Sequence, residues 1–241
     1  MTDNAETQWK SFLAVNARRR SIRDFDGRPI DEAALREVLA EGLKAPSSGN
    51  LQPYTIHWVR NPQLKTRVAD ACEGQRAARS ASALLVLVSS VETARKTVAA
   101  QREWVEHSGE LSDASKAYHR KQLDKFGKFL RFAPMAMLGL FRVLLSFFVP
   151  ARALVPIGRA GIAHWATRST LYAAQQVMTA ATARGFDTCP MEGFDPGRVA
   201  KLLELPRGSV VPLVIAVGHR TSDAHLEPQW RRAFDDAVVV H

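Results

Sequence analysis

An arginine-rich segment near the start of the chain has the side chains needed to hold a phosphate group. Four arginines lie in the six positions from Arg18 to Arg23. Their guanidinium groups repel one another unless an anion is near, and each can donate charge-assisted hydrogen bonds to a phosphate. Ile22 and Phe25 are interleaved with them and would anchor the segment to a core, while Ser21 adds a small donor. A phosphate site is therefore one interpretation, and a solvated basic turn is the other.

A polar loop from Ala45 to Pro53 carries a second set of useful side chains. Its sequence, APSSGNLQP, places two hydroxyls, two carboxamides and a glycine between prolines. Such a loop can direct hydrogen-bond donors and acceptors at a flat polar ligand, while the prolines limit its freedom. The alternative is an ordinary turn between a helix and a strand.

A third element, from Pro190 to Gly193, has the sequence PMEG and is predicted to form a turn. The three elements together offer charge neutralisation for a phosphate, hydrogen-bonding groups for a planar heterocycle and backbone amides near that ring. This combination is typical of a site for flavin mononucleotide (FMN). The sequence contains no metal-ligand spacing, Walker loop, Gly-x-Ser-x-Gly or Gly-x-Gly-x-x-Gly motif, so we predict neither a metal site nor a catalytic acid or base.

The spacing of apolar residues predicts the elements that position these segments. Asp31, Asn61 and Asp195 are predicted helix N-caps, and Gly185 is predicted to end a helix. Mixed helices and strands favour an α/β or α+β fold around one central sheet. Residues 238–240 are three valines that could pair with another sheet. Helices are predicted near 6–17, 32–44, 62–73, 93–108, 112–132, 165–184 and 196–204, and strands near 54–60, 83–88 and 210–217.

The composition is that of an ordinary globular chain. Its 241 residues are 46% hydrophobic and 24% charged, which suits one large domain or two small ones. The two cysteines, Cys72 and Cys189, lie far apart in sequence and indicate a reducing compartment rather than a disulfide framework. The polar, acidic N-terminus lacks the pattern of a secretory signal. We therefore expect a cytoplasmic protein.

The formal net charge of +9 is concentrated in one region. Between Ser115 and Arg168 there are ten Lys or Arg residues and one acid, Asp124. Because aliphatic residues are interleaved with these charges, an anionic surface or ligand is favoured over nucleic acid. Within this region, residues 133–149 carry one charge, Arg142, and are shorter than the about 20 apolar residues that span a bilayer. A buried hairpin or lid, an interfacial membrane helix and a true span remain alternatives.

Three motifs, in order along the chain, resemble those of the FMN-dependent nitroreductase family. They are Arg19–Phe25, Ala45–Tyr54, which is similar to A-P-S-x-x-N-x-Q-P-aromatic, and Pro190–Asp195, which is similar to P-x-E-G-F-D. A weaker match covers Leu213–Arg220 and the basic tail. The resemblance implies an α+β fold with a central, mostly antiparallel sheet flanked by helices. It also implies a single domain over residues 1–241 that forms an intertwined homodimer with FMN at the subunit interface.

The resemblance further implies which residues bind the flavin, with the phosphate and ribityl chain held mainly by basic side chains of one subunit. Arg20 would lie beside the ring. Arg231 would reach the phosphate from the C-terminal tail. The family often has a lysine two positions before that arginine, where this chain has Gln229. The residues of this group are Arg19, Arg20, Ser21, Arg23 and Arg231. The other subunit would line the isoalloxazine with Pro46, Ser47, Ser48, Asn50 and Gln52, of which Gln52 is either a contact or a structural residue. The flavin edge, with a backbone amide near the reactive nitrogen, would be bordered by Pro190, Met191, Glu192 and Gly193.

The implied function is an FMN-dependent oxidoreductase that transfers hydride from NAD(P)H via FMN to a nitroaromatic, quinone or enone by a ping-pong mechanism. Two alternatives stay open: a flavin-binding, membrane-associated storage or sensor protein without turnover, and a reductive dehalogenase of the same family. Residues 109–164 correspond to the family's variable cover over the substrate channel. We expect them to form an extended apolar and basic insertion over the active site, shaping a pocket for a hydrophobic acceptor. Contact of 126–160 with an anionic membrane is a further hypothesis.

Overall fold

A computed structural model of the chain describes residues 2–132 and 161–241. Its sheet has four strands in the order β1-β2-β4-β3, and every neighbouring pair is antiparallel. The strands are β1 (Tyr54–Val59), β2 (Ala83–Ser89), β3 (Asp187–Met191) and β4 (Val210–Gly218). The helices are α1 (Thr2–Arg18), α2 (Glu32–Gly42), α3 (Pro62–Ala71), α4 (Arg76–Ser80), α5 (Val91–His107), α6 (Asp113–Phe132), α7 (Gly161–Ala183), α8 (Pro196–Leu202) and α9 (Phe234–Ala237). The predicted α+β class with an antiparallel sheet is confirmed.

Helices cover both faces of the sheet. The central strands β2 and β4 therefore have apolar residues at almost every position, because both of their faces are buried. All seven residues of β2 are buried. Successive side chains of a strand point to opposite faces, so Leu84 and Val86 join the core beneath α3, α4 and α8. Leu85 and Leu87 join a second core beneath α2 and α7. The sheet is therefore packed between two apolar cores, and the segments that carry the site residues are attached to it.

A third apolar cluster packs α5, α6 and α7 together. Leu123 and Leu130 of α6 are buried against Val98 of α5 and Trp165 of α7. The ring of Phe129 meets that of Trp165 edge-on, with 5.8 Å between centroids. Leu51 of the polar loop is buried in the same cluster. This packing places α5 and α6 directly against the loop between α2 and β1.

The three predicted helix caps are confirmed. A cap depends on residues close together in sequence, so it can be predicted from local sequence. The Asp31 side chain accepts from the Ala33 amide at 3.0 Å, and Asn61 accepts from the Leu64 amide at 2.8 Å. Asp195 accepts from the Arg198 amide at 2.9 Å. Each side chain thereby satisfies one of the amides that a helix start leaves without an intrahelical partner.

One strand was not predicted from sequence. The stretch Pro190–Gly193 was predicted to be a turn, and that prediction is wrong for Pro190 and Met191. They belong to β3, which pairs with β4 in register. Asp and Pro are poor strand formers, so the segment lacks a local strand signal. Pro190 is tolerated because β3 lies at the edge of the described sheet, where a missing N–H leaves no ladder partner unsatisfied. The short helices α4 and α9 were also missed.

Two further predictions concern the three valines at 238–240 and the apolar run 133–149. Residues 238–240 are exposed and belong to no strand of the described chain, so their pairing with another sheet stays a prediction. The apolar run 133–149 lies outside the described residues. Within 2–132 and 161–241, no helix combines the length and apolar character required to cross a bilayer.

Candidate functional site

The arginine segment lies beside the edge strand β3. Ser21 forms an isolated parallel bridge with Thr188, and the Ile22 amide donates to the Thr188 carbonyl at 2.9 Å. Phe25 forms an antiparallel bridge with Arg220. The side chains of Ile22 and Phe25 are buried, as predicted for anchors of this segment. Arg23 lies within this paired stretch and Arg19 and Arg20 directly precede it, so the backbone pairing holds all three at the edge of the sheet.

These side chains share a cavity of about 390 Å³ with the C-terminal tail, which we call the arginine cavity. The tail is attached through Gln229, whose side-chain amide donates to the carbonyls of Ala17 and Arg19 at 3.2 Å each. The structure therefore brings the predicted tail residue Arg231 together with the predicted N-terminal residues. The cavity is lined by Arg19, Arg20, Ser21, Arg23, His225, Leu226, Glu227, Pro228, Gln229, Trp230 and Arg231.

The arginine cavity has an uncompensated positive charge. Within the described residues, none of Arg19, Arg20 and Arg23 forms an ion pair with a carboxylate. One acid, Glu227, is among the described lining residues, and its Oε1 lies 2.6 Å from Nε2 of His225. Since converging guanidinium groups repel one another, a bound anion would stabilise this arrangement. A cavity with four guanidinium groups and one hydroxyl fits the phosphate and ribityl end of FMN.

The segment Pro190–Gly193 continues along the strand from Thr188, the bridge partner of Ser21, and none of its residues belongs to the described lining of the arginine cavity. Met191 is only 2% exposed and its side chain lies in the core, so its backbone alone is available to a ligand. Glu192 and Gly193 are exposed, and the Gly193 carbonyl accepts from Nε2 of Gln75 at 2.5 Å. Burial raises the pKa of the neighbouring Cys189 thiol, and the charge of Arg23 offsets part of that rise. The cysteine is therefore a core residue beside the arginines.

An ion pair that was not predicted holds this edge in place. Asp187 starts β3 and accepts from the backbone amide and Nε of Arg220, each at 3.0 Å, and from Nη2 of the same residue. The hydrogen bonds from Arg220 to Asp187 raise the pKa of the guanidinium further above its ordinary value. Because Arg220 also bridges Phe25, the pair ties β3, the end of β4 and the arginine segment together. The two residues are too far apart in sequence for local patterns to reveal the pair.

The polar loop forms a tight, ordered turn around a short 3₁₀ segment, Ser48–Asn50. Gly49, Asn50 and Gln52 have φ values of +61°, +53° and +42°. The Ser47 hydroxyl accepts from the Gln52 amide at 3.0 Å, and the Gln52 side chain donates to Oδ1 of Asn50 at 3.0 Å. Non-glycine residues in this left-handed region carry strain that the surroundings must maintain, which is common at binding sites. Gln52 therefore helps to hold the turn, and its contact with a flavin stays a prediction.

The loop faces a second cavity of about 910 Å³ between α5 and α6, which we call the loop cavity. Gln101 of α5 donates to the Asn50 carbonyl and fixes the loop to that helix. Of the five predicted loop residues, Asn50 and Gln52 line this cavity, whereas Pro46, Ser47 and Ser48 lie on the same loop outside its lining. The lining residues are Gly49, Asn50, Gln52, Thr93, Lys96, Thr97, Ala100, Gln101, Trp104, Val105, Tyr118, His119, Gln122, Leu123 and Phe126.

The structure thus divides seven of the predicted site residues between two cavities. The others belong to the described lining of neither cavity, and they are Pro46, Ser47, Ser48, Pro190, Met191, Glu192 and Gly193. The arginine cavity lies at the edge of β3, and the loop cavity lies between α5, α6 and the loop. Sequence analysis missed the contribution of α5, whereas α6 lies within residues 109–164, whose role as a cover over the active site stays a prediction. The polar and aromatic residues of α5 recur at intervals of three and four, which indicates one helix face. That periodicity could have suggested the face, but not that it borders a cavity.

Replacing Gly49 with alanine is expected to destabilise the protein by about 1–3 kcal/mol. A Cβ at this position would overlap Cε2 of Phe126, and φ is +61°. The ring of Phe126 would have to move away from the loop. The measurement is the free energy of unfolding from urea denaturation.

Gly27→Ala is the matched control, since its φ is +74° and a Cβ there meets nothing within 4 Å. Its loss of stability should therefore measure only the cost of holding an alanine at a positive φ. Adding Phe126→Ala should remove the steric part, so the double variant should be less destabilised than the sum of the single variants. Equal costs for Gly49→Ala and Gly27→Ala would show that α6 does not press on the loop.

Comparisons with known proteins agree with this architecture. The model of the nitroreductase family matches residues 17–219. A relative from Thermus thermophilus named NADH dehydrogenase is 29% identical over 222 residues, which cover 92% of each chain. The crystal structure of the Bacillus subtilis protein ydfN superposes with a TM-score of 0.76 at 23% identity, covering 97% of this chain and 100% of the other. A protein from Exiguobacterium sibiricum crystallised in complex with FMN superposes with a TM-score of 0.72 at 21% identity, covering 95% and 97%. Because the family model covers most of its length, this chain belongs to the nitroreductase family.

Proposed function

We propose that this protein is an FMN-dependent oxidoreductase that passes reducing equivalents from NAD(P)H to a nitroaromatic, quinone or enone acceptor. FMN, when bound, supplies the capacity to accept a hydride and to donate it again. Donor and acceptor would use the same site in turn, as in a ping-pong mechanism. The single domain formed by residues 1–241 would act as a homodimer, with residues 109–164 as the cover over the acceptor site.

The observation that carries this proposal is that four arginines, none of which forms an ion pair within the described residues, converge from the two ends of the chain on one cavity at the edge of β3. Arg19, Arg20 and Arg23 come from the segment after α1, and Arg231 comes from the tail. Arginines are well suited to phosphate, because a planar guanidinium donates two parallel hydrogen bonds to its oxygens. Their role would be to neutralise the phosphate and fix the position of the flavin.

The separation of the two cavities within one protomer supports the homodimer. Asn50 and Gln52 line the loop cavity rather than the arginine cavity. In a two-fold dimer, the loop of one subunit can complete the cavity of its partner, and the reverse contact follows by symmetry. A flavin site would then be composed of the arginine cavity, Pro190–Gly193 and the partner's loop.

The remaining roles belong to the protein's own groups. The backbone near Glu192 and Gly193 would offer an amide to the flavin edge, and Gln75 holds the Gly193 carbonyl in place. The loop would present Asn50 and Gln52 as donors and acceptors to the ring. Because no side chain of the described site is an evident general acid, protons would come from solvent.

The absorbance spectrum of the purified protein tests the proposal. We expect a yellow protein that releases FMN in acid, and rapid bleaching of its flavin absorbance on anaerobic mixing with NADH or NADPH. Addition of a nitroaromatic, quinone or enone should restore the colour. A yellow protein that responds to neither nucleotide would instead support the storage or sensor function. A protein that is colourless and takes up no added FMN would contradict both functions.

A second proposal concerns the outer face of α6. Lys121, Lys125 and Lys128 are spaced so that they share one face of the helix, and all three are exposed. Within the described residues none of them forms an ion pair. The opposite face buries Leu123 and Leu130. We propose that this lysine face binds an anionic membrane surface, next to the apolar run 133–149.

Replacing the three lysines by glutamine is expected to weaken binding to vesicles about 100-fold, at about 1 kcal/mol per lysine. Sedimentation with vesicles of phosphatidylcholine and phosphatidylserine measures the partition coefficient. The matched control replaces Lys10, Lys44 and Lys201, which removes the same charge elsewhere. Equal effects of the two triple variants, or no sedimentation of the unaltered protein, would contradict a membrane contact through α6.

A further inference from the structure

In the part of the chain that the structure describes, the loop cavity is walled by apolar and uncharged polar side chains and contains one fixed charge. Trp104, Tyr118 and Phe126 supply aromatic surface, and Trp104 is 53% exposed although its spacing suits a buried helix position. Among the described lining residues, the ammonium group of Lys96 is the only formal charge, with His119 taken as neutral. No carboxylate belongs to this lining. The described lining therefore combines a large aromatic surface with a single cation.

The ammonium group of Lys96 is available to a ligand. Within the described residues it forms no ion pair or hydrogen bond. The nearest acid along the helix, Glu92, is one turn away and is engaged by Arg95 at 3.2 Å. Other carboxylates of α5 and α6 are also engaged outside the lining, since Glu106 binds Arg120 and Asp124 binds Arg102. Nothing in the described cavity therefore neutralises Lys96.

The positions of these groups suit an extended ligand. Lys96 and Trp104 lie on the same face of α5, and eight residues of helix correspond to about 12 Å along its axis. A volume of about 910 Å³ is in the range of cavities that hold drug-sized ligands. Lys96, Trp104 and Tyr118 are exposed, so a charged pair at Lys96 gains strength to the extent that the bound ligand itself displaces water. An anionic group at Lys96 and an apolar body along the aromatic side chains would thus be bound together.

We propose that the loop cavity binds an electron acceptor with an aromatic or other apolar body and one anionic group, which pairs with Lys96. The inference rests on the proposed function, because it takes Asn50 and Gln52 to border both this cavity and the flavin of the partner subunit. The substrates would be acidic amphiphiles rather than neutral compounds of similar shape.

A pair of probes of nearly equal shape tests this assignment. 4-Nitrobenzoate and 4-nitrobenzamide differ mainly in charge, and both can undergo the same reaction. In it the nitro group takes two electrons and a proton from NAD(P)H plus a proton from solvent, becomes a nitroso group and releases water. Binding is measured calorimetrically on the flavin-loaded protein without NAD(P)H, and turnover is measured with it.

Lys96→Met is expected to raise the dissociation constant of 4-nitrobenzoate about tenfold and to lower its kcat/KM by a similar factor, as for loss of a hydrogen bond to a charged group. Values for 4-nitrobenzamide should change less than about twofold. Lys96→Arg should restore most of the preference for the acid. Lys201→Met, which removes an exposed charge on α8, should leave both probes unaffected.

Three results would overturn the proposal: equal losses for both probes, no loss for either, or a loss confined to flavin reduction by NADPH, which would assign Lys96 to the nucleotide. The proposed function is judged separately, by bleaching of the flavin with NAD(P)H and by reduction of 4-nitrobenzamide in Lys96→Met. If those two reactions are absent from the unaltered protein as well, the oxidoreductase assignment fails. The calorimetric dissociation constants of the two probes would still show whether Lys96 binds the anionic group in that case.

Discussion

Arg19→Ala is expected to weaken FMN binding about 10- to 100-fold, since a hydrogen bond to a charged group contributes about 1.5–3 kcal/mol. Arg19 lines the arginine cavity, where it has no carboxylate partner within the described residues. Its loss should therefore remove a phosphate contact without breaking an internal ion pair. Fluorescence titration of the flavin-free protein with FMN measures the dissociation constant.

Two comparisons make this experiment specific. Riboflavin lacks the phosphate, so its affinity should change little in Arg19→Ala. Arg18→Ala removes the preceding arginine, which is exposed, donates to the Gly185 carbonyl at 2.9 Å and does not line the cavity. It should bind FMN almost normally. If Arg19→Ala lowered the melting temperature of the flavin-free protein without a selective loss of FMN, the residue would be structural and the assignment wrong.

Asp187→Ala is expected to lower the free energy of unfolding by about 3 kcal/mol, the cost of removing one member of a buried ion pair. The Asp187 side chain is 7% exposed and that of Arg220 25%, so the remaining cation would keep limited access to water. The alanine also leaves the Arg220 backbone amide without its acceptor. Urea denaturation of the flavin-free protein is the measurement.

Glu37→Ala is the control for a lost ion pair at the surface. Glu37 binds Nε of Arg184 at 2.9 Å, and these side chains are 64% and 50% exposed. Its cost should be below about 1 kcal/mol. Replacing Arg220 by methionine in the Asp187→Ala background should recover stability, because no charge is then left unpaired. A cost for Asp187→Ala no larger than that for Glu37→Ala would show that the pair does not hold β3 in place.

Local patterns predicted most elements of this fold, and the exceptions have a physical reason. The caps at Asp31, Asn61 and Asp195 depend on residues within three positions and were found correctly. Strand β3 depends instead on the ladder with β4 and on the bridge between Ser21 and Thr188. No short-range pattern contains those partners, so the strand could not be recognised from its own five residues.

The sequence by itself determined the chemistry available to the protein. It contains an arginine segment, a polar loop and a Pro-Met-Glu-Gly stretch in an order that indicated a flavin site and the family. These are properties of residue types and short spacings, and they survive without knowledge of the fold. Burial of Ile22 and Phe25 as anchors was likewise implied by their place among charged neighbours.

Only the tertiary structure decided which of these groups meet. Arg231 joins Arg19 because the tail returns to the end of α1 and Gln229 donates to the Arg19 carbonyl. Asn50 borders a different cavity because Gln101 of α5 binds its carbonyl and Phe126 of α6 lies against Gly49. Contacts between residues so distant in sequence depend on how the helices pack on the sheet, which no local pattern encodes. The same packing left Lys96 as the one charge among the described residues of an aromatic cavity, a role that its position in a helix could not indicate.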